Sequence, residues 1–387
     1  MFAEEYVKLS FRLNKHIPGL VDAYYGPALL KSEVDGEGLV PLPVLSDMCR
    51  GLAETVQSSD GDTYLRTYRE KQVDALAAQI DRLLGMATDY HSYVHRLFDI
   101  DLTPVRESEI DGYHEGIEML LRRLGYDGEA GKAVQRWEQE NEVRGEELAE
   151  LVRSICLQAR KRTRKIVSLP RGENVTIEMV HSQPWSGYNW YQGKYRSLVQ
   201  VNLDLPRNRF EAEDLSYHEA YPGHHTDHSS KERSAYRQRG LVEASILLIN
   251  TPCSVMGEGI ASVAGRFISD QVPDDARQLY RLLSRTRRAC DTNATIRLHA
   301  EGASKSAMAE FLEKRGLMTP QRAAKRMEFL TNPLWSSYSF TYWFGTLIVE
   351  AAYQEAKATN RTSEFFNLLY NELLTPTILK ERMRKLC

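Results

Sequence analysis

What this chain of 387 residues has little of narrows its class first. Its five cysteines, Cys49, Cys156, Cys253, Cys290 and Cys387, are odd in number and widely scattered. That excludes a disulfide framework and suits reduced thiols in the cytoplasm. No apolar run reaches the roughly 18 residues that a membrane-crossing helix needs. Charge of one sign is not in excess, the formal net charge being -3, so a nucleic-acid surface is not expected. Internal repeats, sustained heptads and low-complexity tracts are missing too. The first residues carry Glu4 and Glu5 where a secretory leader needs positive charge, and no apolar stretch follows. The expectation is a cytoplasmic protein with neither a membrane nor a nucleic-acid partner.

Hydrophobic residues make up 42% of the chain, enough for a large core. Amphipathic periodicity predicts helices over 64–84, 110–124, 128–167, 274–299 and 303–315, with further ones reaching 385. Only 195–204 alternates as a strand does, and the run 174–180 is its candidate partner. A mainly α fold with a small antiparallel β-sheet beside a cleft follows. A lone strand there would offer backbone groups to an extended peptide. The Ser168-Leu169-Pro170-Arg171-Gly172 stretch divides the chain into a helical 1–168 half and a 169–387 half, unless the two form one continuous domain.

The densest chemistry lies in Tyr217-His218-Glu219-Ala220-Tyr221-Pro222-Gly223-His224-His225, which holds three of the chain's ten histidines. Two imidazoles and a carboxylate suit a divalent zinc ion, and a second carboxylate beside a bound water makes a hydrolase. On an unbroken helix His224 would stand ~240° around from His218, and His225 would return to the same face ~10.5 Å further along. Pro222 and Gly223 break the helix, so a histidine swings back. His218 and His224 are the expected ligands, Glu219 the general base, and His225 a donor to substrate or to a ligand. His228, one turn beyond His224, is expected outside the site.

The run His-Glu-Ala-Tyr-Pro-Gly-His-His from His218 resembles the His-Glu-x-x-Pro-Gly-His-His signature of the bacterial domain-of-unknown-function 885 family. That family is similar in layout to helical zinc carboxypeptidases and peptidyl dipeptidases of the gluzincin type, so the resemblance implies a zincin-like helical architecture. It covers about the last 200 residues well and about the first 150 weakly. A Glu-Gly-Trp-Ala run supplies the third ligand in the family, which implies Glu258 in Glu258-Gly259-Ile260-Ala261; Glu243, on a helix expected over 241–250, is the runner-up. The family's tryptophan, tyrosine and glutamate are Ile260, Val263 and Gly265 here, and these changes are expected to reshape the substrate pocket.

Two further stretches match more loosely. Arg287 to Thr292 with Leu298-His299 resembles an Arg…Asp-Thr-Gly-Leu-His run, in which His299 either supports an oxyanion or caps a helix. Ser336 to Gly345 resembles a Tyr-x-x-Gly helix in which Tyr342 takes the tyrosine's place, with Tyr338 one turn earlier on the same face. Either phenol could stabilise a tetrahedral intermediate, although aromatics at this spacing also form buried stripes. Arg287, Arg288 or Arg297 would hold a substrate carboxylate. The segment 17–27, with Asp22, Tyr24 and Tyr25, either covers the cleft or connects helices.

The expected activity is hydrolysis of a peptide or other amide bond in a short substrate, as a carboxypeptidase or dipeptidase does. The alternatives are an amide or ester hydrolase acting on a non-peptide metabolite and a helical metal-binding protein without catalysis. An intact Glu219 counts against the last, because a purely structural zinc site needs no free carboxylate beside an open position.

Overall fold

A computed structural model describes residues 2–387 apart from 60, 87, 183–186, 205–206 and 270–271. Helices dominate. Thr63–Leu83, Glu107–Arg123, Asp275–His299 and Lys305–Arg315 follow the apolar periodicity closely. The long helix expected over 128–167 is two, Ala130–Glu140 and Gly145–Thr163. Gly145 has a φ of +51°, and the intervening strand β2 (Glu142–Val143) pairs with β6 (Arg207–Asn208), which takes the backbone out of the helical ladder. The helix expected over 241–250 is replaced by a short 3₁₀ turn, Val242–Ser245, and strand β7 (Ile246–Leu248), whose partner is β1 (Val21–Tyr24). An apolar run this short fits either element, and pairing across the fold decided it.

The third sheet is mixed rather than antiparallel. Strands β3 (Asn174–Val180), β4 (Gly187–Gly193) and β5 (Arg196–Asn202) lie in the order β3-β5-β4, with β3 parallel and β4 antiparallel to β5. The partnership of 174–180 with 195–204 is present, but β4 returns the chain so that the two run the same way. Strand β5 is central and has no free edge, so the peptide-pairing edge expected there does not exist.

Four clusters of buried side chains make up the core, and each joins residues from both sides of position 168. Two helices that frame the site, Pro252–Phe267 and Ser339–Ala358, meet through glycine. A Cβ on Gly345 would stand 2.4 Å from the Val255 carbonyl oxygen, and one on Gly259 2.4 Å from the Gly345 carbonyl oxygen. Both obstacles are backbone and cannot move aside.

Gly345→Ala is therefore expected to cost about 1–3 kcal/mol through overpacking. Urea unfolding reads this as a lowered midpoint at unchanged slope; an unchanged midpoint would contradict so tight a crossing.

Candidate metal centre

The metal-ligand types come together at a broken helix. Asn208 caps Arg209–Glu219, accepting a hydrogen bond from the Phe210 N–H at 2.9 Å, and His218 and Glu219 end that helix. The next helix, His224–Lys231, begins at His224. In the turn between them the Gly223 N–H donates to the Tyr217 carbonyl at 3.0 Å, and the Tyr370 hydroxyl donates to the Pro222 carbonyl at 2.7 Å. The Tyr221–Pro222 peptide is cis. A Cβ on Gly223 would fall 2.0 Å from the His218 carbonyl oxygen, so only glycine fits.

The turn sets the His218 and His224 Nε2 atoms 3.2 Å apart. From the Pro252–Phe267 helix Glu258 places Oε2 3.3 Å from His218 Nε2 and Oε1 3.5 Å from His224 Nε2. Donor atoms about 2.05 Å from a tetrahedral ion stand about 3.3 Å apart, close to the separation of the two imidazole nitrogens, and Glu258 presents one carboxylate oxygen to each ring. Glu258 Oε2 has no hydrogen-bond donor although it is buried. His218, His224 and Glu258 could thus hold a single metal ion. The charges reinforce one another: burial by itself would lower the pKa of His224, but Glu258 outweighs it and raises the ring to about 9. Burial likewise opposes ionised Glu258, and the two imidazoles outweigh that and keep its carboxyl below the usual range.

Glu219 and Tyr342 line both a cleft of about 1680 Å³ and a smaller inner pocket of about 180 Å³ that adjoin the cluster. The Tyr342 ring stacks at 6.4 Å on His218, and Arg288 lies 6.0 Å over it, held by Thr346 at 3.0 Å. The Tyr338 hydroxyl donates to Glu258 Oε1 at 2.6 Å, and Tyr338 also lines the inner pocket.

Other expected residues lie elsewhere. His225 is fully buried, its Nδ1 2.8 Å from the Ser197 hydroxyl and its Nε2 3.2 Å from Glu173, so it faces away from substrate and from the cluster. His299 sits 2.8 Å from the Leu330 carbonyl, stacks on Tyr90, and lines neither cavity, which assigns it to packing rather than to an oxyanion. Glu243 is paired with Arg69 at 2.6 Å. Arg287 binds Glu138 at 2.7 Å and Arg297 binds Glu107 at 2.7 Å, which removes both as carboxylate grips. Ile260 and Val263 are buried in the core, and of the three altered family positions only Gly265 faces the cleft, against Tyr217.

Some neighbours of the cluster went unread in the sequence. His228 stacks on His224 at 5.6 Å and lines the inner pocket, contrary to its expected place outside; its spacing of four residues from His224 on one helix was the available signal. Asn189 donates to the Glu219 carbonyl and lines the same pocket, and no local pattern marks it.

Residues 106–368 match the family described as "Bacterial protein of unknown function (DUF885)". The chain belongs to this family. No curated protein matches it. Among the solved structures that share its fold are two proteins described as lipoproteins. A protein of Colwellia psychrerythraea, provisionally described as a lipoprotein, has a TM-score of 0.63 and 16% identity over 88% of this chain and 66% of that one, so the chain spans just under two thirds of its length. A protein of Shewanella oneidensis, provisionally described as a lipoprotein of unknown function, has a TM-score of 0.58 and 14% identity over 89% of this chain and 72% of that one. The cytoplasmic location expected for this DUF885 member does not stand beside the lipoprotein descriptions of these two proteins. Scattered free cysteines exclude a disulfide frame without fixing a compartment. Among the described residues no helix is long and apolar enough to cross a membrane.

Glu173 holds His225, Tyr221 and Arg160, the first two of which flank the Pro222–Gly223 step in sequence. Burial would raise its pKa, but hydrogen bonds from these three outweigh it and bring it from 4.5 to about 2. A depressed carboxyl stabilises the fold above its unfolded pKa and loses that contribution as pH falls towards the folded one. Ionised Glu173 is worth roughly 3 kcal/mol by this linkage. Between pH 4.5 and about 2, Glu173→Gln is expected to flatten the fall in unfolding free energy. Identical acid profiles for the two proteins would remove Glu173 from this role.

Proposed function

We propose that the protein is a zinc-dependent hydrolase that cleaves a peptide or other amide bond in a short substrate, with a gluzincin-like arrangement of its metal helices. The observation that carries this reading is the convergence of His218, His224 and Glu258, with the two imidazole nitrogens 3.2 Å apart and a Glu258 oxygen within 3.5 Å of each, and with Glu219 at the wall of the adjoining cleft. Zinc held there supplies Lewis acidity and brings the pKa of water towards about 7.

Glu219 follows His218 at the end of one helix, so the base and a ligand share one rigid element. Its carboxylate accepts a proton from water as the new carbon–oxygen bond forms, and returns it to the amine nitrogen as the carbon–nitrogen bond breaks. Tyr342 donates a hydrogen bond to the oxygen that gains charge. Burial pushes its phenol well above its ordinary pKa, so the proton stays in place to be donated. Tyr338, already bound to Glu258, leaves that task to its neighbour. In the wider cleft Arg288 and Arg281 present positive charge, and Arg281 has no ion-pair partner among the described residues. They suit a substrate carboxylate.

Variants separate these roles. Glu219→Gln should keep its zinc and lose about 10²–10⁴ in kcat on short peptides, whereas undiminished turnover would remove it as base. His224→Ala and Glu258→Ala should lose zinc by elemental analysis, while His225→Asn retains it. Tyr342→Phe should lower kcat by about 10²–10³ with the metal content unchanged.

A further inference from the structure

The inner pocket lies against the metal cluster, and Gly187, Tyr188, His218, Glu219 and Tyr342 line both it and the wider cleft. At about 180 Å³ it holds roughly six waters at about 30 Å³ each, or one small residue. Among its polar groups are acceptors that lack donors. The strand register shifts between Val21 and Ala23, which re-aims the intervening Asp22, and that side chain lines the pocket. Asp22 accepts a hydrogen bond from the Tyr188 hydroxyl and has no ion-pair partner among the described residues. Asn189, only 7% exposed, spends its amide N–H on the Glu219 carbonyl, which leaves Oδ1 without a donor. Gln72, 4% exposed, gives its N–H groups to Tyr6, Tyr68 and Cys253, and its Oε1 is likewise unanswered. The lysine at this pocket, Lys231, is matched by Asp227 at 2.5 Å.

A half-buried carboxylate with no ion-pair partner among the described residues, beside two unmet carbonyl acceptors, suits a group that brings positive charge and three N–H donors, which is an ammonium. We propose that this pocket receives the free α-amino group of the substrate, held by Asp22, Asn189 and Gln72, so that one small amino-terminal residue is removed from a short peptide. The arginines of the wider cleft then meet the carboxylate at the substrate's other end. This assignment rests on the hydrolase reading for the cleavage, but not for the binding of the amine.

The test compares Ala-Ala with N-acetyl-Ala-Ala by titration calorimetry on full-length, zinc-loaded Glu219→Gln protein. The free dipeptide is expected to bind at least about tenfold more tightly. Asp22→Asn, added to the same protein, should shrink the preference to about twofold at unchanged zinc content. Equal binding of the two dipeptides, or binding of neither, overturns the proposal. If Asp22→Asn fails to fold, the contrast between the two dipeptides decides alone. Turnover of both by the unaltered enzyme at equal rates would sink the amine site and spare the hydrolase; a binding preference with turnover of neither would do the reverse.

Discussion

The arrangement of the site depends on one close approach, the backbone of Gly223 against the carbonyl oxygen of His218. With 2.0 Å between that oxygen and the place a Cβ would take, the chain turns more sharply there than any other residue permits. Six residues of separation, which a straight helix would spread around its circumference, are thereby folded into an imidazole pair 3.2 Å apart. Everything else at the centre is built outward from that pair. Tyr370 braces the turn through Pro222, the crossing at Gly259 and Gly345 fixes the helix that brings Glu258, and Tyr338 orients the carboxylate.

The centre also shows how buried charge is made tolerable. Burial works against ionised Glu258 and against a charged His224, yet each is answered by the other. At His225 and Glu173 the balance differs: His225, Tyr221 and Arg160 keep the Glu173 carboxyl low, while burial outweighs Glu173 at His225 and lowers the ring's pKa. Two adjacent histidines thus serve different ends: one faces its metal-type partners, the other is held by Ser197 and Glu173.

Much of this was legible in the chain. The helix at Thr63–Leu83 and the break after Glu219 follow from apolar spacing and from a Pro-Gly step, both of which act within a few residues. What could not be read depends on partners far away in sequence. The run Ile246–Leu248 is a strand because Val21–Tyr24 lies beside it, and β5 is central because β4 folds back onto it. His225 resembles its neighbour in type and spacing, and only Ser197 and Glu173 decide where it points. Asp22, Asn189 and Gln72 converge on one pocket from three unrelated segments, which no local pattern encodes. The altered positions Ile260 and Val263 mislead for the same reason, since the helix turns them into the core.

The pairing of Val21–Tyr24 with Ile246–Leu248 ties the start of the chain to a point more than halfway along it. Side chains from Asp22, His218, Glu258 and Tyr342 cannot be neighbours until almost the whole polypeptide has left the ribosome. The inner pocket is accordingly completed later than the His218, His224 and Glu258 cluster, whose members lie within one stretch of about 40 residues.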